Sequence, residues 1–287
     1  MKPFAYKQGL LPKTWDQMTT LQLEQLAKLV IRYSNRFDIL VRAAFTFMGM
    51  RICRPSIGMG KEPKDGYIVG KGFKRFFVTP LLVYFITDAL EFIFNENEIN
   101  SRRLVNPYPT IRLGLLRKQT LHGPADGLAN ITLNEWIQVE VARAAFEHTG
   151  KTEHLYIIAA ILWRPTADNH PEGDARDARI MDTITQRERL MRRYLPPHRL
   201  KVMLWWYAGC LQYLSYRFSL VLSTSGDDST NSPASAIDSF MDMVNTMAKD
   251  DPTRIQQVRS LALYDALHNI QKILKQQNEQ KNERNRV

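Results

Sequence analysis

The sequence predicts a mainly α protein, an irregular helical bundle with a small loop or β-hairpin insertion around residues 104–130. Through most of the chain, apolar residues recur every three or four positions, which is typical of amphipathic helices. The insertion instead holds three prolines and three glycines, which interrupt that periodicity. A chain of 287 residues with 44% hydrophobic residues is also long enough to bury a substantial core.

The first helix is predicted to begin at Thr19 or Thr20, because threonine is a favourable N-cap. Its apolar positions continue from Leu23 to Ala44, which indicates one long helix. Residues 54–75 are rich in glycine, proline and lysine without periodicity, so we expect an exposed basic loop. Thr79-Pro80 then predicts the start of a helix that ends near Asn95, and its segment 81–94 is expected to be a core helix.

A short β-pair is predicted inside the insertion, around the strings IRLGLL and KQTLHG. Helical periodicity then returns in five segments, at 132–146, 154–163, about 176–195, 202–222 and 235–280. The polar string STSGDDSTNSP at 223–233 favours a linker, because it cannot bury apolar area. We therefore predict a helical core domain at 1–222, a linker at 223–234, and a helical segment with a polar tail at 235–287.

Charge and cysteine content limit the classes of partner and compartment. Lys and Arg number 39 against 29 Asp and Glu, a net charge of +10 that suits a polyanion, an acidic membrane surface or an acidic protein. Cys53 and Cys210 lie in apolar, helix-like segments and are expected to be reduced core residues, which favours a cytosolic protein. The N-terminal residues carry no continuous apolar region of the kind found in a secretory signal.

The sharpest motif is AFEHTGKT at residues 145–152, which fits a relaxed phosphate-loop pattern and raises the alternative of a nucleotide-binding protein. Bulky side chains occupy the middle of the motif, and no series of alternating strands and helices follows it. The favoured interpretation is a helix boundary, in which Gly150 is a C-cap and Thr152 caps the next helix. Under that interpretation Lys151 binds no nucleotide.

Two segments are apolar enough to require burial, either in the protein core or in a membrane. Residues 154–163 are apolar on every side and stop at Arg164-Pro165, which predicts a central buried helix with a favourable cation at its C-terminus. Residues 202–222 are long enough to span a membrane, the second alternative. Gln212 and Arg217 favour a buried helix with a polar stripe instead, so we do not expect a membrane partner.

Catalytic, metal and nucleic-acid sites are not expected. The six histidines are scattered, neither cysteine belongs to a C-x-x-C pair, and no cofactor motif is present, so no metal or cofactor is predicted. The two basic runs, within 61–75 and 187–201, could contact phosphates, and Phe73 lies within the first. Charge runs are more often solvated faces, so nucleic acid is not the expected partner.

The string GPADGLANITLNEWIQVE at 123–140, followed by a helix ending in LWRP, carries a resemblance. It resembles the tail-assembly or virion-assembly proteins of tailed phages and prophages, a group similar to tail-assembly chaperones. The residues that match are Gly123, Pro124, Asp126, Asn130, Thr132, Arg164 and Pro165, whereas Trp136 stands where these proteins usually have phenylalanine and LWRP replaces LYRP. The resemblance implies a non-enzymatic protein that binds another phage structural protein, such as the tape-measure or a tail protein. It implies a location in the host cytoplasm during assembly or in the virion.

The same residues 123–132 are expected to form a capped turn that leads into the helix of Trp136. Asn130 can accept hydrogen bonds from nearby backbone N–H groups, and Thr132 can cap the helix. The acidic Glu135 would lie in its first turn, where a negative charge is favoured. The role of this segment would then be architectural.

The last helix carries an apolar stripe that is a candidate partner-binding face. Leu263, Leu267, Ile270 and Leu274 repeat at four, three and four residues. Such a stripe meets either the core of its own chain or a helix of a second chain, a tape-measure segment or another copy of this protein. Lys272 and Lys275 would steer an acidic partner.

Overall fold

The computed structural model describes residues 2–3, 11–55, 66–94, 104–114, 119–166, 174–177, 183–222, 233–249 and 251–284. Within these ranges, helices dominate and the strands form two small sheets. The predicted mainly α fold with a small β insertion is therefore confirmed.

The chain divides into two compact units, Met1–Arg103 and Leu104–Val287. We predicted a division at 223–234 instead, and residues 223–232 of that segment lie outside the described ranges. The helix that follows, Pro233–Ala248, packs against the helix Leu133–Thr149, so both belong to the second unit. The domain prediction is corrected accordingly, because a polar stretch of sequence does not show whether the helices beside it pack together.

Among its described residues, unit 1 combines three α-helices with a four-stranded sheet. The elements are β1 (Lys2–Pro3), α1 (Thr20–Arg32), α2 (Arg36–Phe47), β2 (Arg51–Pro55), β3 (Tyr67–Lys71), β4 (Lys74–Val78) and α3 (Pro80–Asp88). The strands lie in the order β1, β4, β3, β2, with β1 parallel to β4 and the other pairs antiparallel. Short 3-10 helices lie at Trp15–Gln17 and Glu91–Phe94.

The start of α1 is confirmed, since Thr19 forms a capping box with Gln22. The prediction of a single long helix as far as Ala44 is wrong, because the helical conformation is interrupted between α1 and α2. Asn35 caps α2 by accepting a hydrogen bond of 3.1 Å from the backbone N–H of Asp38. An asparagine at this point offers the backbone a local alternative to continued helix, and that alternative prevails here.

The basic loop predicted over 54–75 is wrong over its second half, where β3 and the start of β4 lie. Ile68 and Val69 have the branched side chains that favour strands, and Val69 is fully buried. Gly66 allows the close approach of β3 to β4, because a Cβ there would lie 2.0 Å from the carbonyl oxygen of Val78. Residues 56–65 lie outside the described ranges.

The start of α3 is also confirmed. Thr79 accepts a hydrogen bond from the backbone N–H of Leu82, and Pro80 occupies the first turn. The helix ends at Asp88 rather than near Asn95, because the chain continues as the 3-10 helix Glu91–Phe94.

Unit 2 contains a β-hairpin and eight helices within the described ranges. The hairpin confirms the predicted β-pair, and Ile111 and Leu121, which face each other across it, are both buried. Its elements are β5 (Thr110–Leu113), β6 (Gln119–His122), α4 (Leu133–Thr149), α5 (Glu153–Leu162), α6 (Ile184–Tyr194), α7 (Pro197–Arg217), α8 (Ser219–Leu222), α9 (Pro233–Ala248), α10 (Pro252–Ser260) and α11 (Leu263–Arg284).

Helix α5 lies in the core of unit 2, as predicted for residues 154–163. It packs against α4, α6 and α7, and its second half, Ile158 to Leu162, is buried. Just beyond its end, the rings of Trp163 and Trp206 meet edge to face with their centroids 5.8 Å apart. The apolar character of this helix therefore serves packing within the unit.

The segment 202–222 forms most of α7 and all of α8. In the part of the chain that the structure describes, no helix has the length and apolar character required to cross a bilayer.

The helix predicted at 235–280 is in fact three helices, because Asp251 and Pro252 begin α10 and a short break at Leu261 precedes α11. Residues 285–287 of the polar tail lie outside the described ranges.

Both cysteines are free, but only one lies in a helix. Cys210 on α7 is fully buried, and burial raises the pKa of its thiol to about 12, with a further contribution from the negative charge of Asp126. Cys53 lies in strand β2 and is half-buried, so its predicted place in a helical core is wrong.

Candidate protein-binding face

The predicted capped turn at 123–132 is present in unit 2. The backbone N–H of Ala125 donates to Oδ1 of Asn130 at 2.7 Å, and the backbone N–H of Glu135 donates to Oγ1 of Thr132 at 3.2 Å. Oδ1 of Asp126 accepts from the backbone N–H of Asn106 at 2.8 Å. These bonds fix the entry of α4, so the segment that carries the phage resemblance has an architectural role.

Gly123 and Pro124 position this turn against the core. A Cβ at Gly123 would lie only 2.4 Å from Nε1 of Trp163, so a larger residue would displace the indole ring. That indole N–H donates to the carbonyl oxygen of Tyr108 at 2.7 Å, and Nδ2 of Asn106 donates to the carbonyl oxygen of Pro124 at 2.7 Å. The close approach explains why glycine occupies position 123.

Arg164 directly follows the C-cap of α5, as predicted, but its charge is paired with a buried carboxylate. Its side chain is 1% exposed, and its guanidinium donates to Oε1 of Glu135 in α4. Arg176 approaches the second oxygen of the same carboxylate at 3.2 Å and also donates to Asp174 and to the carbonyl oxygen of Asn130. Glu135 lies in the first turn of α4, as predicted, and its carboxylate joins two buried arginines. Pro165 accepts a hydrogen bond from the backbone N–H of Asp177 and so also belongs to this cluster.

A third buried arginine, Arg187 of α6, lies close enough to interact electrostatically with these charged groups. Burial and, to a smaller extent, the positive charge of Arg164 together lower the pKa of its guanidinium to about 10, and Asp177 opposes the shift. Burial would raise the pKa of Asp174, but the hydrogen bond and the charge of Arg176 outweigh burial and lower it. We call Glu135, Arg164, Asp174, Arg176, Asp177 and Arg187 the buried ion network.

The buried ion network is balanced, with three arginines against three carboxylates. Buried charges require such pairing, because an unpaired charge in a core is strongly unfavourable. Glu135 and Asp174 are paired with arginines of their own unit, which ties α4 to the segments after α5, and Arg187 ties α6 to α5 by donating to the carbonyl oxygen of Ala160. The network was not predicted from the sequence, because some of its members lie dozens of residues apart along the chain.

The segment 145–152 has the geometry of a helix boundary. Helix α4 continues to Thr149, and Gly150 ends it with a φ of +67° and a backbone hydrogen bond to Phe146. Thr152 occupies the N-cap position of α5, although its side chain makes no capping hydrogen bond. The structure thus places helix where the phosphate-loop alternative requires a strand followed by an open loop. Within the described residues, no three His, Cys, Asp or Glu side chains cluster as metal ligands would.

The predicted partner-binding stripe on α11 is covered by unit 2 itself. Leu263 and Leu267 are fully buried, Ile270 is buried, and Leu274 is half-buried. The backbone N–H of Leu263 also donates to the carbonyl oxygen of Ile131, beside the capped turn. Of the two interpretations left open by the spacing, the core interpretation is correct, and these residues do not form a free binding face.

The capped turn borders a groove of about 490 Å³ in unit 2. Asp126 and Gly127 line it together with Arg217 and Tyr264. The hydroxyl of Tyr264 donates to the carbonyl oxygen of Gly127 at 2.7 Å, and the guanidinium of Arg217 lies over the ring of Tyr264. Helix α11 therefore fixes the turn from one side while leaving part of it open.

An uncovered apolar face lies instead on α3 of unit 1. Leu81, Tyr84 and Phe85 are 67%, 63% and 56% exposed, and their spacing places them on one side of the helix. The opposite side, with Val83 and Ile86, is buried. We call Leu81, Tyr84 and Phe85 the α3 face.

The α3 face corrects the prediction that residues 81–94 form a core helix. A signal for it was present in the string LLVYFITD, which is apolar on both sides although a helix at the edge of a unit needs only one apolar side. Several large apolar side chains exposed together are characteristic of a protein-binding surface.

Comparisons with known proteins add no relative to these observations. No protein-family profile, curated protein or solved structure matches the chain significantly.

Proposed function

We propose that this chain is a non-enzymatic assembly protein of a tailed phage or prophage, which binds another phage structural protein, a tape-measure or tail protein. The resemblance, which covers about residues 76–165 and is carried by the string at 123–140 and by Arg164-Pro165, supports the phage assignment. The binding role is supported mainly by one observation, the exposed α3 face.

The α3 face has the chemistry of a helix-binding surface. Exposed apolar area is unfavourable by about 25 cal/mol per Å², so covering three large side chains would stabilise a complex. Residues at positions i, i+3 and i+4 present one stripe, into which the apolar side of a second helix can pack. A long helical tape-measure protein offers many such segments.

The titratable groups of unit 2 favour an architectural over a catalytic role. The carboxylates of Glu135, which is buried, and Asp174, which is half-buried, are held by arginines. The net charge of +10 would attract an acidic partner and speed its association. Under this proposal the protein acts in the host cytoplasm during assembly or within the virion.

A co-purification experiment tests the proposal. The chain would be co-expressed with the tape-measure and tail proteins of a tailed phage or prophage from the same source, and complexes would be captured through a tag on this chain. We expect wild-type protein to retain one of these proteins, and Leu81→Asp or Phe85→Asp to lose it. Leu21→Asp on α1 is the matched control, because Leu21 is 64% exposed in the same unit but lies outside the α3 face.

Two outcomes would contradict the proposal in different ways. If the wild-type chain retains none of the co-expressed structural proteins, the assembly function is wrong. If it retains one and Leu81→Asp binds as well as Leu21→Asp, the function stands but the contact lies outside the α3 face. Circular dichroism of each variant would establish that the fold is intact.

A further inference from the structure

The hairpin between β3 and β4 ends in a tight turn that presents an aromatic side chain. Lys71 and Lys74 face each other as the last pair of the ladder, so Gly72 and Phe73 are the two residues of the turn. Gly72 has a φ of +58°, which suits glycine at the first position of a two-residue hairpin turn. Phe73 is fully exposed, with a relative exposure of 108%.

Three cations surround this aromatic tip. Lys71, Lys74 and Arg75 are all exposed. Among the described residues, no ion pair or hydrogen bond involves any of their side chains. We call residues 71–75 the hairpin tip.

The hairpin tip is unfavourable in the isolated protein for two reasons. Like charges directly opposite each other on a ladder repel, as Lys71 and Lys74 do here. A fully exposed phenylalanine gains nothing from burial. A ligand that carries both negative charge and flat apolar rings would reverse both effects.

We propose that the hairpin tip binds single-stranded nucleic acid, independently of the tape-measure or tail-protein contact. Lys71 and Lys74, which share one face of the ladder, would contact phosphates, and an unpaired base would stack on the ring of Phe73. Arg75 follows Lys74 in the strand and would add positive charge from the other face. Unpaired bases are required, because the bases of a duplex are already stacked on each other. This inference changes the expectation that the basic run at 61–75 is merely a solvated loop.

An acidic membrane is the competing ligand for a basic tip with an aromatic residue. One phenylalanine ring offers a complete stacking surface for one base. Stable membrane attachment generally needs a broader apolar face or a second anchor, and the turn has only two residues. The geometry of the hairpin tip therefore favours nucleic acid.

The test is fluorescence anisotropy of a labelled oligothymidine of about 15 nucleotides, titrated with the full chain. We expect binding that weakens about tenfold in Phe73→Ala and is retained in Phe73→Trp, since tryptophan also stacks. Phe37→Ala is the matched control, because Phe37 is a partly exposed phenylalanine on α2 of the same unit.

The charge contribution is tested by salt dependence. Lys71→Glu should weaken binding and reduce the slope of log K against log salt by about 0.7 for each lost phosphate contact. Lys28→Glu makes the same change of net charge at an exposed position on α1, and should leave the slope near the wild-type value. A pure effect of net charge would instead change both variants equally.

Three results would overturn the proposal. The first is the absence of oligothymidine binding by the wild-type chain, and the second is equal affinity of wild type and Phe73→Ala. The third is sedimentation with phosphatidylserine vesicles that depends on Phe73 while oligothymidine is not bound, which would identify the hairpin tip as a membrane element. None of these results bears on the tape-measure or tail-protein contact, which the co-purification experiment measures separately.

Discussion

The two units differ in which apolar and charged side chains they bury and which they expose. Among the described residues, unit 1 leaves seven large apolar side chains exposed, whereas the longer unit 2 leaves three. Unit 2 instead buries charge, in the network around Glu135, Arg164 and Arg176. The exposed residues of unit 1 are Leu21, Ile31, Phe37, Phe73, Leu81, Tyr84 and Phe85, and those of unit 2 are Val105, Tyr216 and Leu220.

This difference indicates a division of roles. A buried ion pair contributes little net stability compared with apolar packing, but it tolerates few alternative arrangements of its elements. We propose that the network serves this purpose in unit 2, where it connects α4 to the segments after α5. Exposed apolar residues, by contrast, remain favourable to bury, and most of those among the described residues lie in unit 1. Both proposed binding surfaces, the α3 face and the hairpin tip, lie in unit 1.

The largest effect is expected from Glu135→Gln, which leaves Arg164 and Arg176 buried without their shared carboxylate. We expect the free energy of unfolding to fall by about 3–5 kcal/mol. Urea unfolding followed by tryptophan fluorescence is a suitable measurement, because four of the five tryptophans lie in unit 2. Glu147→Gln is the control on the same helix, since its ion pair with Arg143 is exposed and should contribute less than about 1 kcal/mol. Equal losses in the two variants would show that the network does not stabilise unit 2.

A second large effect is expected from Leu267→Ala, which tests whether the α11 stripe is core. Leu267 is fully buried, so truncation should leave a cavity and lower the free energy of unfolding by about 2–5 kcal/mol. The same urea experiment measures it. A change below about 0.5 kcal/mol would be typical of a surface position and would restore the stripe as a candidate binding face.

A smaller effect is expected from acidification, through Asp174. Arg176 holds the folded-state pKa of this carboxyl below its ordinary value of 3.8. A carboxyl with a depressed pKa stabilises the fold above its unfolded-state pKa, and that stability is lost as the pH falls through the folded-state value. Thermal unfolding of unit 2 should therefore shift to lower temperature below about pH 4.

Asp174→Asn should reduce this dependence on pH, because the titrating group is gone. Asp88→Asn, at an exposed position on α3, is the control and should unfold with the wild-type pH dependence. If both variants keep the wild-type profile, other carboxyl groups account for the loss of stability in acid.

The smallest effect on stability is expected from Leu81→Ala in the α3 face. An exposed side chain loses little on truncation, so the free energy of unfolding should change by less than about 0.5 kcal/mol. Thermal unfolding of unit 1, followed by circular dichroism, measures this change. A loss comparable to that of Leu267→Ala would show that Leu81 is covered and would remove the α3 face as a candidate binding surface.

Local features of the fold were predictable from the sequence alone. Thr19, Thr79 and Thr132 begin helices as predicted, and Gly150 ends one. The predicted β-pair is present in the insertion as well. Each of these features depends on residues within a few positions of one another, so the information needed to predict them is contained in a short string of sequence.

Which apolar surfaces are covered was decided only by the tertiary structure. The stripes on α3 and α11 have similar periodicity, yet Leu267 is fully buried and Leu81 is 67% exposed. Periodicity shows that a helix has an apolar face, but it carries no information about what packs against that face. The pairing of Glu135 with Arg164 and Arg176 was beyond sequence reasoning for the same reason, because three charges from distant segments become neighbours only when the helices pack.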